Sequence, residues 1–271
     1  MGKIKRNERI GAMIKILTDR PNYIYNLNFF SEMFCASKST ISEDVDIIRG
    51  IFERFQLGEI RTVTGAAGGI KYIAYPSMEQ SMIFVKDLCE RLSQPDRILP
   101  GGFIYMTDLI YMPEIAKTVG EILASQFVQD DPDFVITVET KGIPIAMMTA
   151  KALDCPVVIA RRDNKVTEGS VVTINYVSAS SNQIQTMSLP KRSVKKGQKG
   201  LIIDDFMKGG GTVKGIVDIL KEFEVEVVGV GVVIATRQPE KKMIDKYKPL
   251  MILDEIDQIN KKVVVTPAAW I

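Results

Sequence analysis

The segment LIIDDFMKGGGTVKG, residues 201–215, combines an apolar strand, two acids, a glycine-rich loop and the start of a helix. Asp204 and Asp205 follow the apolar run, at the carboxyl end of the strand, where open α/β sheets bind their ligands. Glycines at 209–211 let backbone N–H groups approach an anion, and Thr212 begins a helix whose dipole favours negative charge. A plain glycine-rich turn with an acidic cap is the alternative interpretation. Because neighbouring carboxylates suit the cis hydroxyls of a ribose, the combination favours a site for a phosphorylated sugar.

Short β-branched runs alternate with helical patterns through much of the chain after residue 113. The order is helix 113–127, strand 134–139, helix 143–153, strand 157–160, strand 201–205, helix 212–223 and strand 225–235. A polar, loop-bearing stretch at 166–190 interrupts this alternation. The pattern indicates a parallel α/β sheet with helices on its faces.

The first 75 residues follow a different pattern. Apolar residues at helical spacing predict helices at 6–19, 26–34 and 37–55, and two strand-like runs within 59–75 surround a Gly-Ala tip. Three helices and a hairpin in this order are typical of a winged helix-turn-helix. The predicted fold class is therefore α/β, with a winged helix-turn-helix domain (1–75) followed by a parallel α/β domain (76–271) that opens with a connecting helix at about 77–94.

The charge of the chain is unevenly distributed. The net charge is +2, but residues 1–75 carry eleven Lys/Arg against eight Asp/Glu, which is +3, and the remainder carries twenty-four against twenty-five, which is −1. A basic first domain favours a polyanionic partner. The chain has no histidine, which excludes Ser-His-Asp and Cys-His catalysis and histidine-ligated metals. No metal site built from protein groups alone is visible in the sequence.

Cysteine usage and hydropathy bear on location. Cys35, Cys89 and Cys155 are odd in number and far apart, which favours a reducing compartment over a disulfide framework. The segment MGKIKRNERI lacks the apolar core of a signal peptide, and no stretch approaches the roughly 20 apolar residues that span a bilayer. We therefore expect a cytoplasmic protein without a membrane partner.

Two motifs resemble those of the type I phosphoribosyltransferase family. LIIDDFMKGGGT, residues 201–212, resembles that family's signature for phosphoribosyl pyrophosphate (PRPP), and VETKGIPIA, residues 138–146, resembles the pyrophosphate loop of its purine and xanthine branch. The resemblance implies a type I phosphoribosyltransferase-like domain that binds PRPP, with Mg²⁺ carried on the pyrophosphate. The residues expected to bind it are Thr140, Lys141, Gly142, Asp204, Asp205, Phe206, Lys208, Gly209, Gly210, Gly211 and Thr212.

The same comparison argues against catalysis. Residues 169–190, where family members place a catalytic loop, contain no charged residue, although Ser180, Ser181, Asn182 and Gln183 could bind. Lys208 stands where hypoxanthine-type members of the family place an aspartate base, and a lysine there favours an anion without accepting a proton. We expect no catalytic residues and binding without turnover. The alternative is an active purine or xanthine phosphoribosyltransferase with an appended autoregulatory domain.

The pairing of the two domains resembles the purine operon repressor family of Gram-positive bacteria over essentially the whole chain. The segments KSTISEDVDIIR (38–49) and TVTGAAGGIKY (62–72) add to the two motifs above. The resemblance implies a homodimeric repressor of purine biosynthesis genes that PRPP, as inducer, releases from double-stranded operator DNA. Guanosine polyphosphates would fit the same pocket.

The DNA contacts are expected from the start of the third helix, the basic cluster before the first helix and the wing. These residues are Lys38, Ser39, Thr40, Ser42, Lys3, Lys5, Arg6, Arg9, Arg61 and Lys71. Phosphates would repel Glu43, Asp44 and Asp46, so these acids are expected to cap the helix or face away from DNA. A plain dimerisation module with no role in nucleic-acid binding remains the alternative for this domain.

Overall fold

A computed structural model describes residues 4–65, 68–162, 169–178 and 183–271 of the chain. The chain divides into two units. One comprises Met1–Ser77 with Lys151–Asp154, and the other Met78–Ala150 with Cys155–Ile271.

The first unit is a winged helix-turn-helix. Its elements are α1 (Arg6–Asp19), α2 (Leu27–Phe34), α3 (Lys38–Phe55), β1 (Glu59–Val63) and β2 (Gly69–Ile73). The two strands are antiparallel, with Ile60 opposite Tyr72. Apolar residues of all five elements form one core, made of Met13, Leu17, Phe30, Phe34, Ile41, Val45, Ile48, Phe52, Ile60 and Ile70. The predicted winged-helix fold is confirmed.

Local signals set the ends of α2 and α3. The Asn26 side chain accepts a hydrogen bond from the Asn28 N–H at 2.8 Å, and the Ser37 hydroxyl accepts one from the Thr40 N–H at 3.2 Å. Such side-chain caps satisfy amides that a helix leaves unpaired at its start. Both helices end at a residue in the left-handed conformation, Cys35 (φ 48°) and Gln56 (φ 53°). The turn between α2 and α3 is therefore short and fixed by the sequence.

The second unit is built on a six-stranded sheet in the order β12-β11-β10-β9-β5-β6. Its strands are β5 (Phe134–Val138), β6 (Val157–Ala160), β9 (Lys199–Met207), β10 (Glu226–Thr236), β11 (Lys248–Asp257) and β12 (Lys262–Pro267). All neighbouring pairs are parallel except β11 and β12. The helices are α4 (Met78–Leu92), α5 (Thr107–Ile110), α6 (Pro113–Ser125), α7 (Ile143–Leu153) and α8 (Gly211–Glu222). The end of α7, from Lys151, is assigned to the first unit. The expected parallel α/β fold is confirmed, with one antiparallel edge strand.

Several strands were not predicted from the sequence. They are β3 (Ile98–Leu99), β4 (Phe103–Ile104), β7 (Val171–Ser178), β8 (Gln183–Pro190), β11 and β12. The polar stretch expected to be a loop holds the antiparallel hairpin of β7 and β8. Its buried side chains pack on α8, where Gly215 leaves room: a Cβ there would lie 3.0 Å from the Tyr176 ring. Ser180, Ser181 and Asn182 lie outside the described residues.

No helix in the described part of the chain is long and apolar enough to cross a membrane.

Candidate functional site

The two predicted ligand loops meet at one edge of the sheet. Strands β5 and β9 are parallel neighbours, with Ile136 paired with Ile202, so the loops that follow them leave from the same side. Gly142 packs directly against the acids: a Cβ there would lie 3.6 Å from both Asp204 Oδ1 and the Asp205 nitrogen. The same Cβ would be only 2.4 Å from Thr137 Oγ1. This position therefore has no space for a side chain.

The two acids differ from the sequence prediction in one respect. Strand β9 continues to Met207, because β10 pairs with it through Phe206 and Met207, so Asp204 and Asp205 lie within the strand and not beyond its end. The Asp205 N–H donates a hydrogen bond to Asp204 Oδ1 at 3.0 Å. Asp204 is 6% exposed. Asp204 is therefore buried at the base of the site, and Asp205 is half-buried beside it.

Burial dominates the ionisation of both acids. Burial first, and then the neighbouring Asp205 carboxylate, raise the pKa of Asp204 well above its ordinary value, against a smaller opposing effect of Arg162. Burial also raises the pKa of Asp205, although the Lys141 ammonium opposes this. Lys141 of the first loop thus faces the acids of the second.

The glycine loop forms a small cavity of about 60 Å³ before α8. Gly210 takes a left-handed conformation (φ 82°) at the N-cap of α8, which a residue with a side chain rarely adopts. The first amides of α8 then point toward the cavity end of the helix, where its dipole favours an anion. The structure brings together eight of the predicted effector residues here; those lining the cavity are Asp204, Phe206, Lys208, Gly209, Gly210, Gly211 and Thr212, and Asp205 adjoins them.

A second cavity, of about 150 Å³, adjoins the glycine loop and shares Phe206 and Lys208 with it. Phe103, 47% exposed, lines this cavity from the opposite side together with Gly102. From the sequence alone, Phe103 could equally be a core or an interface residue. The signal that identifies it is the pair of glycines before it, both at positive φ (85° and 75°), which carries the ring on a turn.

Two arginines that the sequence analysis did not select lie near the first loop. Arg161 and Arg162 follow β6, the neighbour of β5, at the carboxyl end where ligands bind. Glu139 holds both: its carboxylate pairs with Arg161 at 3.2 Å and accepts the Arg162 N–H at 2.9 Å. The run RRD, residues 161–163, directly after the predicted strand 157–160 is the signal that could have indicated them.

The start of α3 presents the polar surface expected to contact DNA. The Ser37 hydroxyl lies 2.8 Å from that of Ser39 and 2.9 Å from that of Thr40. Lys38, Ser39 and Ser42 are exposed, and Thr40 is half-buried. Lys38 makes no ion pair with any described residue. These hydroxyls and one unpaired cation lie at the N-terminal end of an 18-residue helix, a position suited to phosphate and base contacts.

Arg6 and Arg9 lie in the first turn of α1, and both bind acids of their own domain. Arg6 pairs with Glu43 at 2.6 Å and with Asp44 at 3.2 Å. Arg9, expected to follow the DNA backbone, is 8% exposed, and its Nε lies 2.7 Å from an oxygen of the fully buried Asp44. The Arg9 guanidinium therefore joins α1 to α3 and does not present a free charge. Asp44 is fully buried in the core of this domain.

The remaining basic residues have other partners. Arg61 forms a two-pronged pair with Glu59, both distances being 2.7 Å, and Lys71 donates to Asn22 Oδ1 at 2.8 Å. The backbone N–H of Lys5 donates to Glu8. Lys3 lies outside the described residues.

Comparisons with known proteins agree with this architecture. Residues 5–74 match the family described as "Bacterial purine repressor, N-terminal", and residues 107–269 match the "Phosphoribosyl transferase domain". The chain is 46% identical to the purine biosynthesis transcriptional repressor PurR of Bacillus subtilis (strain 168), over 96% of this chain and 92% of that protein. It is 40% identical to the purine biosynthesis transcriptional activator PurR of Lactococcus lactis subsp. lactis (strain IL1403), over 96% of each.

A solved structure supports the fold of the second unit. The adenine phosphoribosyltransferase of Giardia lamblia, solved with 9-deazaadenine, superimposes with a TM-score of 0.55 at 16% identity, covering 64% of this chain and 98% of that one. At this identity the likeness concerns the fold alone. Both domains match their family models, and the sequence identity to PurR regulators extends over nearly the whole chain. The chain therefore belongs to the PurR family of transcriptional regulators of purine biosynthesis.

Proposed function

We propose that the chain is a DNA-binding repressor of purine biosynthesis genes whose phosphoribosyltransferase-like domain binds PRPP as an inducer. The observation that carries this proposal is the packing of Gly142 against the Asp204–Asp205 pair, next to the glycine loop. Loops suited to a pyrophosphate and to a sugar phosphate thus share one edge of one sheet, in a chain that also carries a winged helix. As an operator-binding regulator, it would act in the cytoplasm, where bacterial DNA lies.

Each part of PRPP has a counterpart in the site. The carboxylates of Asp204 and Asp205 would accept hydrogen bonds from the ribose hydroxyls, and the amides of the glycine loop would receive the 5-phosphate. The loop of Thr140, Lys141 and Gly142 would receive the pyrophosphate through backbone amides and one ammonium. Among the described residues no group of three acidic or cysteine side chains could hold a metal by itself. The two aspartates and the pyrophosphate oxygens together offer the hard ligands that Mg²⁺ prefers, so we propose that Mg²⁺ enters with PRPP.

Binding without catalysis is part of the proposal. A transferase must stabilise a departing pyrophosphate and move a proton on the incoming base. The described residues of the hairpin of β7 and β8 carry no acid, base or cation, and Lys208 in the glycine loop is the wrong group to accept a proton. The alternative, an active purine or xanthine phosphoribosyltransferase, predicts release of pyrophosphate in the presence of a particular base. Absence of release across a panel of purine bases is the expected result.

The second cavity supports a role for guanosine polyphosphates. Phe103 and Phe206 line it together with Lys208, beside the glycine loop. A purine could stack on these rings while its phosphates occupy the loops. We propose that guanosine polyphosphates compete with PRPP. Saturating guanosine tetraphosphate should raise the apparent Kd for PRPP, and an unchanged Kd would contradict the proposal.

Release of DNA by the inducer requires PRPP to bind the DNA-free protein more tightly than the DNA-bound protein. DNA and PRPP are both polyanions. PRPP bound near a basic surface of the protein would therefore weaken the attraction of that surface for DNA phosphates. One winged helix in which Arg6, Arg9 and Arg61 are paired internally offers few free charges. We therefore propose a homodimer that binds two half-sites of double-stranded operator DNA.

The test is fluorescence anisotropy with labelled DNA from upstream of the organism's purine genes. Protein is titrated first, and PRPP with Mg²⁺ is added to the complex. We expect tight binding that PRPP reverses in the wild type and not in Asp204→Ala/Asp205→Ala. The matched control is Asp130→Asn/Asp131→Asn, an exposed neighbouring pair that should behave like the wild type. Absence of DNA binding would refute the regulator, and DNA binding unaffected by PRPP would refute the inducer. Because one relative is named an activator, a reporter gene under the same operator decides the sign of regulation.

A further inference from the structure

Lys242 is a buried cation without a carboxylate partner. It is 7% exposed, and no acid of the described chain lies within ion-pair distance of it. Its ammonium donates instead to the Thr236 carbonyl at 2.7 Å and approaches the Thr236 hydroxyl at 3.1 Å. Burial lowers the pKa of this ammonium. Burying a charge without a counter-ion costs free energy. If the side chain at this position served only to fill space, an apolar residue would do so at a lower cost.

The partner of Lys242 also contacts the glycine loop. Thr236 is the last residue of β10, and its hydroxyl lies 3.3 Å from the carbonyl oxygen of Lys208, where the loop begins. The same hydroxyl lies 2.5 Å from the Gln238 carbonyl. One residue thus links the ammonium, the end of the strand and the first residue of the loop.

The residues after Lys242 contact the loop at its centre. The Met243 N–H donates to the Gly209 carbonyl at 2.9 Å. Gly210 lies against the same backbone, since a Cβ there would be 3.5 Å from the Met243 nitrogen and 3.6 Å from that of Ile244. Residues 242–244 therefore brace the glycine loop from one side. If the Lys242 ammonium lost its hydrogen bonds to Thr236, residues 242–244 would no longer hold the glycine loop in place.

We propose that Lys242 is a positioning residue for the phosphate-binding half of the effector site. Through Thr236 and the backbone of Met243, it holds the glycine loop in the conformation that receives a sugar phosphate. Its charge adds positive potential beneath a loop that otherwise binds through amides and Lys208. This inference rests on the proposed function, because it concerns how the same site recognises its ligand.

The two halves of the site allow a selective test. Ribose 5-phosphate should engage the glycine loop, whereas inorganic pyrophosphate with Mg²⁺ should engage the loop of Thr140 to Gly142. Binding of each probe and of PRPP is measured by titration calorimetry for the wild type, Lys242→Met and Lys241→Met. Lys241 is the neighbouring exposed lysine and serves as the matched control.

We expect Lys242→Met to weaken ribose 5-phosphate and PRPP by about tenfold or more, the size of a lost charge-assisted hydrogen bond. Pyrophosphate should bind within about twofold of the wild type, and Lys241→Met should leave all three unchanged. Equal losses for ribose 5-phosphate and pyrophosphate would overturn the inference, because they indicate general damage. Unchanged ribose 5-phosphate binding by Lys242→Met would overturn it as well. Failure of the wild type to bind PRPP refutes the proposed function itself, which keeps the two failures distinct.

If Lys242→Met does not fold, as judged by circular dichroism, Thr236→Val tests the same link. It removes the hydroxyl between the ammonium and the Lys208 carbonyl and keeps the shape of the side chain. A selective loss for ribose 5-phosphate supports the inference, and equal binding of both probes to Thr236→Val and the wild type overturns it.

Discussion

Substitution of Gly142 by alanine tests the packing on which the site depends. A Cβ at this position would lie 2.4 Å from Thr137 Oγ1, far inside van der Waals contact, while its distances to Asp204 Oδ1 and the Asp205 nitrogen, both 3.6 Å, are ordinary. Thr137 is fully buried and lies within β5, so it cannot move aside cheaply. The predicted strain therefore comes from one atom of one residue.

The magnitude follows from the kind of contact. Overpacking a buried site by one methyl group costs about 1–3 kcal/mol, so we expect Gly142→Ala to lose that much unfolding free energy. Thr137→Ala alone should cost about 1 kcal/mol through a small cavity. In the double variant the clash is gone, so its total should equal that of Thr137→Ala, which gives a coupling of about 1–3 kcal/mol.

Thr137→Val is the matched control. The Thr137 hydroxyl has no hydrogen-bond partner among the described residues, so valine removes an unsatisfied polar atom and should be neutral or stabilising. Valine keeps a methyl group where the oxygen was, so it should not rescue Gly142→Ala. The assay is urea unfolding, with PRPP binding by calorimetry, and Gly142→Ala should weaken PRPP because the pyrophosphate loop is displaced. The steric reasoning would be refuted if Thr137→Val rescued Gly142→Ala as completely as Thr137→Ala does. It would also be refuted if neither substitution rescued Gly142→Ala.

Three further predictions concern charge. Arg9→Met should destabilise the winged-helix unit by about 3 kcal/mol in urea unfolding, because it leaves the fully buried Asp44 with only the longer ion pair to Arg6. Arg9→Met/Asp44→Leu should be close to neutral, and equal losses of stability in the two variants would contradict this prediction. Lys38→Ala should weaken all DNA sequences alike and reduce the slope of log K against log salt by about 1, and Lys117→Ala, on α6, should change neither in the same anisotropy titration. The pKa of Asp204 is raised by burial and by its acidic neighbour, so the folded protein holds a proton that the unfolded chain releases, and stability falls as pH rises from the ordinary aspartate range through the raised pKa. Asp204→Asn should therefore raise the urea midpoint at about pH 8 and flatten its pH dependence. If the slope of the urea midpoint against pH were unchanged, this prediction would be contradicted.

Regular patterns made most of the fold predictable from sequence. The helix α3 carries its own cap, its own apolar stripe and its own stop, so its bounds follow from local chemistry. Strands β5 and β9 are continuous apolar runs, which a strand buried on both faces requires. The hairpin of β7 and β8 was missed because its outer face is mixed: Thr173 and Asn175 are polar, whereas Val177 and Ile184 are apolar and exposed. What identifies it is the packing of Tyr176 on Gly215, which is distant in sequence.

The site was predictable where one segment supplies several ligand groups, as around Asp204, and not where groups come from separate segments. Composition counts the charge of Arg9 without showing its partner, the buried Asp44, which lies 35 residues away in sequence. Phe103 and Lys242 lie on segments that are separate from the glycine loop in sequence, and only folding brings these segments next to the loop. The roles of the predicted effector and DNA residues stay predictions until the binding experiments are done.

The thermodynamics of a sensor differ from those of a transferase that uses the same loops. A sensor needs only a difference in affinity between two states, because an effector shifts an equilibrium by as much as its differential affinity and no more. Changing DNA occupancy from about 99% to about 1% takes roughly 5.5 kcal/mol. If the proposed dimer carries two effector sites, each needs about half of that, or roughly a hundredfold preference of PRPP for the DNA-free protein. Because linkage is reciprocal, saturating operator DNA should weaken PRPP binding by the same factor at each site. Such a preference requires two states of the protein that PRPP distinguishes, and it requires no group that moves a proton.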